Sequence, residues 1–253
     1  MKKWLVAFFL VFVFAVTAFG ADGSLEKVKK DGKFIVGLDD TFAPMGFKDE
    51  KGEIVGFDID LAKEVAKRLG VTAEFKSCEW DGVILELKAG KIDMVWNGMT
   101  ITEERAKQVS FSKPYHSDGQ IIFSRKDKQY LKISELEGKV VGTQLGSSAT
   151  TAVEKHPISA KFKELRKYGT NAEALLDLES GRLDAVVMDA TAGRFHNAKR
   201  QTLVYSEESF AAEVDGVAFR NEDVALREAV DKLLDEMKAD GTFRKIEVEW
   251  LGE

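Results

Sequence analysis

The sequence predicts an α/β protein of two lobes, each a mostly parallel sheet flanked by helices, with a two-strand hinge between them. Three observations carry that expectation. Strand-like and helix-like hydrophobic periods alternate along the chain, the pattern that places helices on both faces of a parallel sheet. The alternation is interrupted twice, near residues 115–119 and 211–215, as expected if the chain leaves one lobe for a second and then returns. Cys78 is the sole cysteine, so an internal disulfide is excluded and stability must come from burial. With 44% hydrophobic residues, a chain of 253 can build one large core or two modest ones.

Met1-Lys2-Lys3, an apolar run over residues 4–16 and Thr17-Ala18-Phe19-Gly20 have the three parts of a secretory signal peptide (residues 1–20), with cleavage expected after about Gly20. That run is short for a membrane span, and no later segment approaches ~20 apolar residues. The expected mature protein is exported and soluble, without a lipid anchor, because no cysteine stands at the cleavage site. Residues 24–31 then read as a short helix closed by Gly32, and residues 33–38 as a strand ending on Asp39-Asp40. Thr41-Phe42-Ala43-Pro44 is a turn carrying an aromatic ring. Gly56-Phe57-Asp58-Ile59-Asp60-Leu61 opens an amphipathic helix in which Phe57, Leu61, Val65 and Leu69 recur at helical spacing, with Gly70 as its stop. A second unit follows: strand 72–76, helix 80–89, then a buried strand over 92–96.

After Phe111-Ser112-Lys113-Pro114-Tyr115 comes an extended segment, 120–124, and a second set of units. It begins at residues 136–142 and runs through the turn Gln144-Leu145-Gly146-Ser147-Ser148, a helix to Lys155, a helix over 172–179 and a strand over 183–189. From Asp215 the pattern changes again. Residues 216–219 form a short strand, and 224–240 a helix with Leu226, Val230, Leu233, Leu234 and Met237 on one face; Gly241 breaks it before a last helix ending in Trp250-Leu251.

The segment Asn97-Gly98-Met99-Thr100-Ile101-Thr102-Glu103-Glu104-Arg105 is the candidate site. It reads as the end of a strand, a tight turn and a helix start with Thr102 as N-cap. Arg105 is out of place there, since the positive end of the helix dipole favours acids. Either the guanidinium points into water, or an anion at the helix start removes the conflict; free N–H groups, threonine hydroxyls and a planar fork suit a small carboxylate. Asp39, Phe42, Trp80 and residues 97–100 all fall just past expected strand ends, where ligands bind in open α/β sheets.

Phe42-Ala43-Pro44 with Gly56-Phe57-Asp58-Ile59-Asp60-Leu61, the 97–105 segment, Phe111-Ser112-Lys113-Pro114-Tyr115 and Asp184-Ala185-Val186-Val187-Met188-Asp189 resemble, in order and spacing, a known family. It is that of the periplasmic solute-binding proteins of ABC importers for polar amino acids, the type that includes glutamine-binding and lysine/arginine/ornithine-binding proteins. The resemblance covers essentially the whole mature chain. It implies the type II periplasmic-binding-protein fold, with lobe 1 from residues 21–114 and 216–253, lobe 2 from 120–210 and hinges at 115–119 and 211–215. It also implies a periplasmic monomer without a cofactor, a free L-amino acid as ligand and the membrane permease subunits of an ABC importer as partner. By the same resemblance Arg105 clamps the ligand α-carboxylate, helped by Thr100 and by the second-lobe turn at Ser147 and Ser148. Gly98 offers a main-chain carbonyl to the α-ammonium, and Asp189 pairs with that ammonium across the cleft. Phe42 and Trp80 flank the ligand side chain, and Asp39 reaches its far end. Asn97 and Met99 complete the set.

The formal charge of −6 argues against nucleic acid or an anionic membrane surface as partner. His116, His156 and His196 stand far apart, so neither a metal site nor a Ser-His-Asp set can be assembled from the sequence. Exported dehydratases similar to this fold carry a carboxylic acid shortly after the position of Asp189, where this chain has Ala190-Thr191-Ala192-Gly193. That enzyme reading, and a ligand-sensor role on a receptor, are the alternatives to transport. Among the expected pocket residues Arg105 is the only cation and is committed to the α-carboxylate, so glutamate and aspartate are expected to bind poorly. Ala149 departs from the basic-amino-acid binders and Met188 from the glutamine binder, which leaves glutamine and arginine as the leading ligands.

Overall fold

The computed structural model describes residues 22–252; the expected signal peptide and its cleavage point lie outside them. The chain opens with α1 (Ser24–Asp31) and β1 (Lys33–Leu38). Three short strands follow, β2 (Thr41–Phe42), β3 (Gly46–Lys48) and β4 (Ile54–Val55), and make a small antiparallel sheet of their own. Helix α2 (Phe57–Leu69) buries Phe57, Leu61 and Val65, as its period requires, and stops at Gly70. After β5 (Thr72–Ser77), the helix expected over 80–89 is a 3-10 turn at Trp80–Gly82 that leads into α3 (Val83–Lys88). Then β6 (Met94–Val95) delivers the chain to the 97–100 turn, followed by α4 (Glu103–Ala106) and β7 (Ser110–Phe111).

The chain next runs along β8 (His116–Arg125) into β9 (Val140–Gln144), α5 (Ser148–Lys155), β10 (Glu164–Tyr168), α6 (Asn171–Glu179), β11 (Ala185–Asp189) and α7 (Ala190–Arg200). It comes back along β12 (Leu203–Asp215) to β13 (Ala218–Phe219), α8 (Val224–Ala239) and α9 (Thr242–Leu251).

Two five-stranded sheets organise the lobes, in the orders β5-β1-β6-β13-β7 and β10-β9-β11-β8-β12. In each, three strands are parallel, and the other two join antiparallel where the chain enters or leaves the lobe. β8 and β12 pair with one another down to His116 and Asp215, so both crossings belong to one antiparallel ribbon. The C-terminal helices return to the first sheet: α8 packs on α1 and α2, α9 on α2 and α8, and Phe243 meets Phe57 edge-on at 5.7 Å. The largest apolar cluster runs without a break from Phe57, Leu61 and Met237 through Phe42 and Tyr115 to Phe123 and Met188. The two lobes therefore face each other in contact, with the parallel strand ends at the seam.

Candidate ligand-binding site

A pocket lined by both lobes lies at that seam. The first lobe contributes Asp39, Phe42, Trp80, Asn97, Gly98, Thr100 and Arg105, and the second Gln144, Ser147, Ser148 and Asp189. Of the residues expected from the sequence, Met99 stands apart: it is buried among Val83, Leu87, Ile92 and Val95 and does not line the cavity. Gln144 was missed. Its signal was its place, the last residue of a parallel strand two positions before the Gly146-Ser147-Ser148 turn.

Arg105 does not point into water. It is 9% exposed, and its side chain folds back to donate from Nη1 to the Thr100 carbonyl at 2.9 Å and from Nη2 across the seam to the Gly146 carbonyl at 3.2 Å. The guanidinium carbon stands 5.7 Å from the Trp80 ring centroid. Thr102 caps α4 by accepting the Arg105 N–H at 3.2 Å, which frees the side chain to turn inward. Burial lowers the Arg105 pKa, opposed by the charges of Glu213, Asp189 and Asp215, and an arginine remains cationic throughout.

Acidic groups surround that one cation. Asp39 accepts the Thr41 N–H and hydroxyl through Oδ1, at 2.9 and 2.7 Å, and the Gln144 amide through Oδ2 at 2.7 Å. Its own N–H is held by Asn97 Oδ1 at 2.9 Å. Asp189 is buried at the end of β11, where Gln120 Nε2 donates to it at 2.9 Å. Burial pushes its carboxyl well above the usual carboxylate range, reinforced by the charges of Asp118 and Glu213. Glu213, on β12, is the other group that sequence reading overlooked. Its Oε2 accepts from Thr100 at 2.9 Å, Ser148 at 3.1 Å and Gln120 at 2.8 Å, and so ties both lobes to the ribbon.

The second-lobe turn is shaped for an anion. Ser147 caps α5, its Oγ accepting the Thr150 N–H at 3.1 Å, and the helix start faces the cavity through Ser147 and Ser148. Ser148 Oγ lies 3.0 Å from Thr100 Oγ1 across the seam. Gly146 sits at φ 73°, and a Cβ there would come within 2.8 Å of the Asp81 Cα, so only glycine lets the lobes meet at this point. Chemically the cavity offers one fixed cation with hydroxyl and helix-end support on one side, and carboxylates on the others. Among the described residues no group of three or more His, Cys, Asp or Glu is placed to hold a metal ion.

Residues 34–253 match the family described as bacterial extracellular solute-binding proteins, family 3. The L-cystine-binding protein TcyJ of Escherichia coli (strain K12) is 34% identical, over 96% of this chain and 91% of that protein. The ABC transporter arginine-binding protein 1 of the same strain is 34% identical, over 99% of each chain. Among solved structures, an ancestral arginine-binding protein bound to arginine is 45% identical with a TM-score of 0.82, covering 87% of this chain and 98% of that one.

Proposed function

The chain belongs to the bacterial extracellular solute-binding proteins of family 3, and from that premise we propose that it captures a polar or basic L-amino acid between its lobes and delivers it to an ABC importer. Arginine is the leading ligand. The observation that carries this reading is the charge inventory of the cavity: Arg105 alone against Asp39 and Asp189. An α-carboxylate on Arg105 and an α-ammonium on Asp189, whose buried carboxyl ionises against that cation, use one charge of each sign and leave Asp39, whose partner across the seam is only the neutral Gln144 amide. A ligand with a second cation at its far end completes the balance. Glutamine would satisfy Asp39 by a hydrogen bond without neutralising it, and a second ligand carboxylate, as in glutamate or cystine, would meet no second cation in the lining.

Capture couples to closure because the clamps come from opposite lobes, Arg105 from the 97–105 segment and Asp189 from β11, so both engage only when the lobes meet. On this reading residues 115–119 and 211–215, at the lower end of the ribbon, are the hinges between lobe 1 (21–114 and 216–253) and lobe 2 (120–210). The protein acts as an exported monomer, released from its signal peptide after about Gly20 and docking on permease subunits in the membrane. Catalysis is not part of the proposal: Ala190-Thr191-Ala192-Gly193 after Asp189 supplies no further acid.

A thermal-shift screen of the twenty amino acids tests the reading. A ligand at ~100 Kd adds about 2.7 kcal/mol, a shift of several degrees. Arginine should give the largest response, with lysine, histidine and glutamine behind it. A largest shift from glutamate or aspartate, or a response confined to large apolar amino acids, would overturn it. Mass spectrometry of the same mixtures should show the amino acids unchanged.

A further inference from the structure

The helix-opening motif around Asp58 takes no part in lining the cavity, yet its carboxylate is fully buried on the first turn of α2. Its Oδ2 accepts two hydrogen bonds, from the Gly98 N–H at 2.6 Å and from the Tyr115 hydroxyl at 2.9 Å. Gly98 belongs to the cavity wall, and Tyr115 is the last residue before β8, its N–H bonded to the Asp215 carbonyl at 3.0 Å. The same wall segment is tied to the other ribbon strand: Ile101 N–H donates to the Val214 carbonyl at 2.9 Å, and Gly216 N–H to the Met99 carbonyl at 3.0 Å. One carboxylate thus joins the ligand turn to the Tyr115 end of the ribbon, and the turn's own backbone joins it to the other strand.

We propose that Asp58 is a positioning residue for ligand binding, holding the Gly98 turn and the Tyr115 end of the ribbon as one unit and making that unit sensitive to its own charge. The proposal rests on the reading of the cavity as an amino-acid site. An ionised Asp58 makes two charge-assisted bonds and adds negative potential behind the wall that faces the ligand's cationic groups; a neutral one weakens both. Burial raises its pKa to about 7, opposed by the Gly98 N–H, the Tyr115 hydroxyl and the Trp96 indole. That indole N–H and Asp58 Oδ1 are buried without a partner of normal hydrogen-bond geometry, so the indole acts through its dipole. Two titratable groups face Asp58: Tyr115, just before β8, whose phenol is pushed up, and Asp215, the last residue of β12, which acts by charge alone. From α9 and β8 the neighbours of adjacent Phe57 are the Phe243 and His116 rings.

Binding of a cationic ligand then favours the ionised form, so affinity rises with pH through about 7. The test is calorimetric titration of L-arginine into wild type, Asp58→Asn and Tyr115→Phe between pH 5.5 and 8.5. The amide of the Asp58→Asn variant can still accept the Gly98 N–H but cannot ionise. The wild-type to Asp58→Asn affinity ratio should grow by ~3–10-fold from low to high pH, since half to one unit of pKa change corresponds to that span. Asp118 and Asp189 remain in both proteins and cancel from the ratio, whereas Asp215 feels the Asp58 charge and shares in the response. Tyr115→Phe, which removes one donor to the carboxylate, should move the wild-type step to higher pH, and it decides the matter if Asp58→Asn does not fold. A ratio constant with pH, the mark of a merely structural residue, or an unmoved step in Tyr115→Phe overturns the proposal. Should wild type bind no amino acid at any pH, the functional reading is what has failed. The carboxyl is then read by NMR titration of the ligand-free protein, where an ordinary value for Asp58 overturns the proposal as well.

Discussion

Asp39 and Gln144 stand on different lobes, and the Gln144 amide donates to the Asp39 carboxylate at 2.7 Å across the cavity. The second amide contact, from Nε2 to the Gly169 carbonyl at 3.0 Å, and the Asn171 amide on Oε1 at 3.1 Å fix which way Gln144 points. Asp39 is therefore presented to the far end of the cavity as a preoriented acceptor. Replacing it by asparagine keeps its shape and removes its charge. Hydrogen bonds to charged groups contribute ~1.5–3 kcal/mol, so Asp39→Asn should lower arginine affinity ~10–100-fold and glutamine affinity much less. Calorimetry with both ligands decides, and equal losses would remove Asp39 from the side-chain subsite.

Arg105→Ala deletes the one cation in the cavity lining. Breaking a buried charge pair costs ~3–5 kcal/mol, so affinity for every amino acid should fall at least ~100-fold. The circular dichroism spectrum should be unchanged, because the residue lies on a four-residue helix at the seam and outside the apolar clusters. Near-normal affinity in this variant is incompatible with the carboxylate clamp.

Gly146→Ala tests closure without touching charge. The new methyl meets the Asp81 backbone at 2.8 Å, and the φ of 73° adds ~1–2 kcal/mol for a non-glycine residue. Affinity should drop about tenfold or more, by the same factor for arginine, lysine and glutamine. Small-angle scattering at saturating arginine should show a larger radius than for wild type. A loss specific to one ligand would mean that the turn selects ligands and does not gate the lobes.

Stability in the absence of amino acid should depend on pH in an unusual sense. Burial raises the carboxyls of Asp58, Asp118, Asp189 and Asp215, so the folded state holds their protons more tightly than the unfolded one. Their contribution is complete below about pH 4, the unfolded value, and is lost as pH rises through the folded values, about 7 for Asp58. Asp58 alone accounts for about 4 kcal/mol over that window. The unfolding temperature should therefore be higher near pH 5 than at pH 8, and saturating arginine should recover part of the loss at pH 8. Differential scanning calorimetry from pH 4.5 to 8.5 checks this; a rising profile would contradict it.

Long periods were legible in the sequence and short ones were not. Helices α2 and α8 show their buried faces at helical spacing, and β1 and β11 are apolar runs that only a covered sheet explains. The cavity followed from them, since residues just beyond parallel strand ends meet at the seam. The sheet β2-β3-β4 was invisible because strands of two or three residues carry no period. Met99 was misplaced for a simpler reason: Gly98 and Thr100 face the cavity, and the residue between them points the other way, into the apolar cluster under α3. Glu213 could not be found by motif, because β12 shows no regular alternation of burial and exposure and nothing local marks one acid as turned inward.

Strand β13 sits between β6 and β7, with Ala218 paired to Val95 on one side and to Phe111 on the other. Among the described residues the first sheet is thus joined between β6 and β7 by the last strand to be synthesised. The second sheet uses only consecutive segments from β8 to β12 and can assemble while the C-terminus is still being made. Contacts of such long sequence separation close slowly, and a growing chain spends that interval with an open strand edge on β6. Cut after residue 215, the polypeptide would carry a complete second sheet beside a first one split in two, its β7 left with nothing to pair.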